Sequence, residues 1–387
     1  MRAATVIVLG LIFAAQSALA HDPSAWGGTF RTRDRGVTWM PIDAGLFVGG
    51  AVALAVDPAD PSHVLYATDG RLLRSRNGGR DWTQEPASVF LGPTLAVAFD
   101  SSEHVALAAT AAGVFRSEAD GMWKGVDLPA SALPARAIVR GATPGRFYLA
   151  GARGFYRSED QGRTWTRGSD ALEDAPLVAL AVLAQPAELV VGVVEGRVFV
   201  SADAGHSWQQ RSAGLPESKI DTVTVDSRKA WLWAAGADRL YRSNDAGQTW
   251  RSVGEALPQP GARVRGIAAL DDGGTLVLTT HRGAYRSADG GRSWLLLEGN
   301  LPVHLEAGPL VPDPGDPNTL YAGYSLTPYD EIRRRAVEGS NLLSQVDPLS
   351  LAGGAAFLTL IAAAAIFAVR RLSRAAQAAD ARSARRT

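Results

Sequence analysis

Seven tryptophans, Trp39, Trp82, Trp123, Trp165, Trp208, Trp250 and Trp294, end seven copies of one short phrase, spaced 41 to 44 residues apart. A period of this length requires a repeat architecture, and every other feature has to be read inside it. The clearest copy is Phe155-Tyr156-Arg157-Ser158-Glu159-Asp160-Gln161-Gly162-Arg163-Thr164-Trp165, with the skeleton aromatic-Arg-Ser-x-Asp-x-Gly-x-Thr/Ser-Trp. The copies around Asp203, Asp245 and Asp289 keep it almost intact. Around Asp34 the Ser is replaced by Thr32, and in the next copy Asn77 replaces the Asp. The copy from Ser117 to Trp123, with Asp120, is one residue short.

One period reads as four short strands. Ala51 to Val56 is an apolar run, Val64 to Thr68 and Leu72 to Ser75 follow, and Asp81 to Gln84 starts a fourth. Asp57-Pro58-Ala59-Asp60-Pro61, Asp69-Gly70 and Asn77-Gly78-Gly79 supply the turns between them. Four strands per 40–45 residues is one propeller blade. The ends of the repeat region are complementary halves. Asp313 to Gly323 matches Asp57 to Ala67, the first half of a blade, and Phe30 to Trp39 is a second half with nothing before it. The expected fold is therefore all-β: a seven-bladed propeller over residues 21–326, with one blade closed by both termini. Closure removes exposed strand edges. A ring of this size buries about 75% of its unfolded surface, so it needs no disulfide, and the chain has no Cys.

The phrase resembles the Asp-box, or BNR repeat, of sialidases, xyloglucan-cleaving hydrolases, sortilin-type receptors and photosystem II assembly factors. The resemblance covers roughly residues 25 to 325 and implies the propeller fold. It says less about activity, because one fold hosts unrelated functions. The boxes themselves (Asp34 with Trp39, Asn77 with Trp82, Asp160 with Trp165, Asp203 with Trp208, Asp245 with Trp250, Asp289 with Trp294) read as structural. An Asp in a tight turn accepts bonds from nearby backbone amides, Gly supplies an unusual backbone angle, and a Trp fills the wedge between blades. Residues repeated around a ring cannot converge on one substrate.

The chain ends carry a different signal. Residues 1–20 read as an export signal: Arg2, an apolar stretch from Val6 to Ala15, then Ala18-Leu19-Ala20. Residues 349–369 are uncharged and long enough to cross a bilayer as one helix. The tail, 370–387, holds six Arg against Asp380 alone, which keeps it on the cytoplasmic side. Thr327-Pro328-Tyr329 opens a short helix in the 327–348 linker, with Gly339 as its stop and Arg333, Arg334 and Arg335 available to lipid headgroups. The formal charge of zero hides an asymmetry. Without Arg2 and the tail, 32 basic residues face 38 acidic ones, which argues against a nucleic-acid partner. Only three Lys accompany 36 Arg, which suggests a GC-rich bacterial source. The expected location is the outer, periplasmic face of a bacterial cytoplasmic membrane.

Catalytic constellations are scarce. None of the six His has metal-ligand spacing, and there is no phosphate loop, Gly-x-Ser-x-Gly elbow or Cys nucleophile, so no cofactor is expected. The enzymatic alternative is a glycosidase, which needs two carboxylates at one sugar bond. Sialidases are six-bladed, and the Arg-Ile-Pro segment near their start is replaced by Thr38-Trp39-Met40-Pro41-Ile42. Xyloglucan hydrolases pair two propellers around a cleft, and one is read here. Glu173, Asp174, Glu217, Asp221 and Glu306 are the loop carboxylates such chemistry would draw on. Departures from the repeat point elsewhere. Aligned inner strands carry Leu54, Val97, Val223 and Leu310 where one carries Arg140, and Asp221 stands where others have Val52, Leu95 and Ile138. Arg136, Arg263 and Arg265 begin inner strands. Together with Arg140 they form a candidate face for a carboxylate-bearing partner segment, and the assembly factors are known for an Arg-rich propeller surface. The functional expectation is a non-catalytic docking or assembly scaffold for an envelope protein, with a carbohydrate-binding or carbohydrate-cleaving propeller as the alternative.

Overall fold

The computed structural model describes residues 27–338, apart from 44–45, 47, 91, 102–103, 119–120, 169–171, 173–174, 218, 227–229 and 237. Its 28 strands, β1 to β28 in chain order, form seven four-stranded antiparallel sheets. Six are continuous: 51–84 (β3–β6), 94–126 (β7–β10), 137–167 (β11–β14), 177–210 (β15–β18), 222–253 (β19–β22) and 264–296 (β23–β26). In the first of these the strands are Ala51–Val56, Val64–Thr68, Leu72–Ser75 and Thr83–Gln84. The alternation of apolar runs with Asp-Pro, Asp-Gly and Gly-Gly turns sets those limits, because Pro and Gly end a ladder that β-branched residues favour.

The seventh sheet joins both ends of the ring, in the order β2 (Met40–Pro41), β1 (Gly28–Thr32), β28 (Leu320–Ser325), β27 (Glu306–Pro312). The seam is an unbroken antiparallel pairing from Gly28 opposite Tyr324 to Thr32 opposite Leu320. The two halves expected from the repeat therefore meet in one blade. The first strand of each blade lies innermost, and neighbouring inner strands pack against one another all the way round, β27 against β3 included. Between adjacent blades the core consists of clusters that mix residues of both, such as Trp250 with Val198, Val200 and Leu232.

Five of the seven inner strands carry a register irregularity near their start, between Ala51 and Ala53, Thr94 and Ala96, Leu177 and Ala179, Val264 and Gly266, and Ala307 and Leu310. A bulge frees a residue from the ladder and re-aims its side chain. The freed residues are Val52, Leu95, Val178 and Arg265, with Gly308 and Pro309 in the split blade, and all of them line the central channel.

The helix expected after Thr327 is present as α1, Tyr329–Glu338. It is more than a surface helix, because Ile332 and Ala336, four residues apart, are buried against Val52 and Leu95. Gly50 permits the approach, since a Cβ there would lie 2.8 Å from the Ile332 Cδ1 atom. The chain is tied down just before α1 by Leu326 N–H donating to the Gly49 carbonyl at 2.9 Å. Two compact units divide the chain at residues 338 and 339. The expected signal segment, the membrane helix over 349–369 and the tail all lie outside the described residues. Among the described residues no helix is long and apolar enough to cross a membrane.

Candidate functional site: the channel mouth under α1

Each Asp-box closes on itself. In the Asp160 copy, the carboxylate accepts from the Ser158 hydroxyl at 2.8 Å, the Thr164 amide at 2.9 Å and the Thr164 hydroxyl at 2.6 Å. The Ser158 hydroxyl in turn accepts from the Gly162 amide at 2.9 Å. Asp34, Asp203, Asp245 and Asp289 repeat the pattern. Burial works against the charge of Asp203 and Asp245, but hydrogen bonds from Ser207 and Thr249 prevail and hold both near 2. Gly162 has φ +79°, and a Cβ there would lie 2.6 Å from Leu107 in the neighbouring blade. The Trp of each box fills the inter-blade wedge: Trp39, Trp123 and Trp250 are buried, and Trp82 donates to the Ile42 carbonyl of the adjacent blade. Asp120 lies outside the described residues.

The four arginines do not form one cluster. Arg136, Arg263 and Arg265 stand at the α1 end of the channel, while Arg140 is exposed at the far end of its strand β11 (Ala137–Arg140). Four residues of extended chain separate it from Arg136, about 13 Å. Two of the three mouth arginines are paired within the chain. Arg265 donates to the Glu306 carboxylate at 2.5 Å, and its guanidinium lies 5.5 Å from the centre of the Tyr329 ring. Arg263 pairs with Asp330 at 3.3 Å. The other Glu306 oxygen accepts from the Tyr329 amide at 2.6 Å, which fixes the first turn of α1. Arg136 has no ion pair among the described residues, and its Nε atom is buried without a hydrogen-bond partner. Burial and the nearby Arg333 charge both lower its pKa. Asp221 also lines the mouth. Burial raises its pKa, although Arg263 and Arg265 pull the other way. Glu173 and Asp174 lie outside the described residues.

A second cluster was not anticipated from the sequence. His63 and His104 both approach the fully buried Asp57 carboxylate, His104 Nδ1 at 2.5 Å and His63 Nδ1 at 3.4 Å. The two histidines stand in corresponding turns of adjacent blades but one place apart in register: Asp57 N–H donates to the His63 carbonyl, and Asp100 N–H to that of Val105, the residue after His104, so neither ligand spacing nor the repeat period displayed the cluster. The three side chains stand within metal-binding reach of one another. Arg74 argues against a metal. Its Nη1 lies 2.6 Å from His63 Nε2, and a guanidinium can only donate. His63 Nε2 is therefore the acceptor and Nδ1 carries the proton, which leaves Nδ1 no lone pair for a metal.

Residues 174–299, which span the blades from β15 to β26, match the family model described as photosynthesis system II assembly factor YCF48. A xyloglucanase from Paenibacillus sp is 27% identical over 191 residues, which is 44% of this chain and 18% of the xyloglucanase. The match thus spans less than a fifth of that enzyme's length. Among solved structures, YCF48 from Cyanidioschyzon merolae superposes with a TM-score of 0.57 at 14% identity, covering 72% of this chain and 97% of that one. YCF48 bound to D1 peptide gives 0.55 at 16%, covering 72% and 94%. At such identities the structures establish the fold alone. The box motif, the family match over three blades and the shared architecture agree: the chain is an Asp-box (BNR-type) seven-bladed β-propeller, similar to the YCF48-like assembly factors.

Proposed function

We propose that the propeller is a non-catalytic docking scaffold and that the channel mouth bearing Arg136, Arg263 and Arg265 is its docking face. The observation that carries this is a segment already seated there. The Tyr329-Asp330 turn lays a ring on Arg265 and a carboxylate on Arg263, so the mouth accepts an acidic, aromatic stretch of chain. A partner segment of like chemistry is what such a surface recognises. The YCF48 structure with a D1 peptide supports the reading at the level of the fold. The earlier grouping with Arg140 is narrowed to the three residues of one mouth. The expected partner is an envelope protein. The uncharged stretch 349–369 and the Arg-rich tail support a propeller held on the outer face of the cytoplasmic membrane. Capture from solubilised membranes tests the docking face. The triple variant Arg136→Ala, Arg263→Ala, Arg265→Ala should fold and lose the partner, and retained capture would refute the face. Protease added outside spheroplasts should digest the propeller, and a protected propeller would refute the orientation.

A glycoside-directed propeller is the second reading. It is favoured by the xyloglucanase match and by Asp221 and Glu306 at one mouth, one carboxyl raised by burial and the other engaged by Arg265. Unlike environments for two carboxyls are what acid–base glycoside cleavage needs. Xyloglucan hydrolysis that disappears in Asp221→Asn would establish this reading and end the scaffold one.

A further inference from the structure

The channel enclosed by the inner strands has a volume of about 520 Å³. Small-molecule pockets run from roughly 300 to 1,000 Å³ and are mostly apolar with a few placed polar groups. The wall here joins an apolar stretch, with Leu95, Ala137, Ile138, Val178 and Ala179 among its lining residues, to a charged mouth, and its surface is divided about evenly between apolar and polar. Its charged residues all belong to the mouth under α1. Val178, freed by the bulge in β15, keeps 47% of its surface exposed, which is unusual for an aliphatic residue on an inner strand.

Four arginines at that mouth, Arg136, Arg263, Arg265 and Arg333, face three carboxylates, Asp221, Glu306 and Asp330, so one cation is left over. Asp330 and Glu306 are taken up by Arg263 and Arg265. Arg136 from the ring and Arg333 from α1 both line the cavity. Neither has an ion pair or a side-chain hydrogen bond among the described residues, and the Arg136 Nε atom is buried and donates to nothing. Two like charges held together in a partly buried place are costly unless an anion lies between them.

We propose that the channel is a binding site for a small amphiphilic carboxylate, its head group held by Arg136 and Arg333 and its apolar chain lying along Val178 and the channel wall. Guanidinium groups suit a carboxylate because they present paired N–H donors. The chain displaces water from the aliphatic wall. Since α1 supplies Arg333, the site is complete only with α1 docked. This does not rest on the docking reading: the chain can bind such an acid and no protein, or the reverse.

Calorimetric titration of the full chain in zwitterionic nanodiscs tests it, with octanoate as the first probe. Saturable binding of one octanoate is expected, and 1-octanol, without the charge, and acetate, without the chain, should bind at least tenfold more weakly. Arg136→Ala and Arg333→Ala should each weaken octanoate about tenfold or more, the loss of one charge-assisted bond. Arg140→Ala, at the other end of β11, should leave it unchanged and serves as the control for partitioning into the disc. Thr222→Leu, which narrows the channel, should weaken octanoate more than a four-carbon acid. An N-acetylated apolar tripeptide, with its C-terminus free or amidated, separates the two sources of the ligand. Binding of octanoate alone assigns a lipid-derived acid, and binding of the free but not the amidated peptide assigns a chain terminus. Octanoate and free peptide both absent, or octanoate bound equally by Arg136→Ala, Arg333→Ala and the parent, would overturn the proposal.

Discussion

A single substitution within the repeat shows how the box works. In five described copies the polar turn is centred on Asp, and in the copy at Asn77 the amide oxygen accepts the Arg80 and Asp81 amides at 3.1 and 2.9 Å as the aspartates do. The amide nitrogen, however, donates to Asp81 Oδ2 at 2.8 Å. The residue four places on, a hydroxyl that donates to the carboxylate in the Asp copies, is here the carboxylate, so donor and acceptor have exchanged ends. The requirement is for one acceptor facing the backbone and a complementary pair behind it, not for a charge. Asp160→Ala should therefore destabilise the propeller by about 1–2 kcal/mol, read as a lower denaturant midpoint at unchanged slope. Asp160→Asn should cost less than half of that, because the Thr164 hydroxyl can turn to accept. An equal loss in both would mean that charge is what the turn needs. The acid side of the stability curve follows from the same bonds. Asp203 and Asp245 are held near 2, below their unfolded value of about 3.9. The folded state thus binds fewer protons in that window. This contribution is complete above pH 4 and disappears as pH falls towards 2, so thermal melts should show the ring weakening over that range.

Between blades, the Arg of the phrase is the recurring link. Arg31 donates to the Gly78 carbonyl of the next blade at 2.5 Å, Arg116 to Gln161 at 2.9 Å, Arg157 to Ala204 at 3.2 Å and Arg286 to Arg35 at 2.9 Å. The accepting residue stands at positive φ inside the neighbouring box, so the turn exposes its carbonyl where the Arg can reach. Where Val200 replaces the Arg, Arg211, just past β18 (Gln209–Gln210), donates to Ala246 instead at 2.7 Å. The shortened copy makes a different link. Arg74 pairs with the buried Glu85, which also accepts from Trp123 at 2.6 Å, and it contacts His63. Removing one member of a buried pair strands the other. Arg74→Met should cost about 3–5 kcal/mol, and adding Glu85→Leu should restore much of it. Equilibrium unfolding of the parent, both single variants and the double variant checks this, and a double variant no more stable than Arg74→Met would show that a stranded Glu85 is not the cause of the loss. The strands around this link were legible from apolar runs and turn residues: in the first blade the limits of the first three fall as read, and the fourth begins at Thr83 rather than Asp81 because Asp81 is held in the box turn by Asn77. The link was not, because it joins residues one period apart through geometry that no local pattern displays.

At the scale of the molecule, the ring and its seam were legible because they depend on counting: seven boxes, one leading half and one trailing half. The candidate site was less so. Inner-strand bulges re-aim Val52, Leu95, Val178 and Arg265 by one position, and a one-residue slip reverses which face a side chain takes. Alignment of the repeats placed Arg136 and Arg140 in one group because it could not show that strand β11 carries them to opposite ends. It read α1 as a possible headgroup contact because the burial of Ile332 depends on those bulges. The seam provides the final test. The five residues of β1 pair along β28, and no covalent link replaces that ladder, since the chain has no Cys. Deleting 307–325 removes β28 and nearly all of β27. The ladder of β1 and the flank of β3 then lie open, and paired edges are what keep a sheet protein from adding strands of another chain. Buried Tyr324 and Phe30, whose rings meet edge-on at 5.3 Å, would lose each other as well. The expected outcome is a chain that aggregates or is cut by protease within the remaining blades. Removal of 339–387, which contributes no described strand, should leave the seam intact. A soluble, cooperatively unfolding 307–325 deletion would show that the ring is held by its inter-blade links rather than by the strand that closes it.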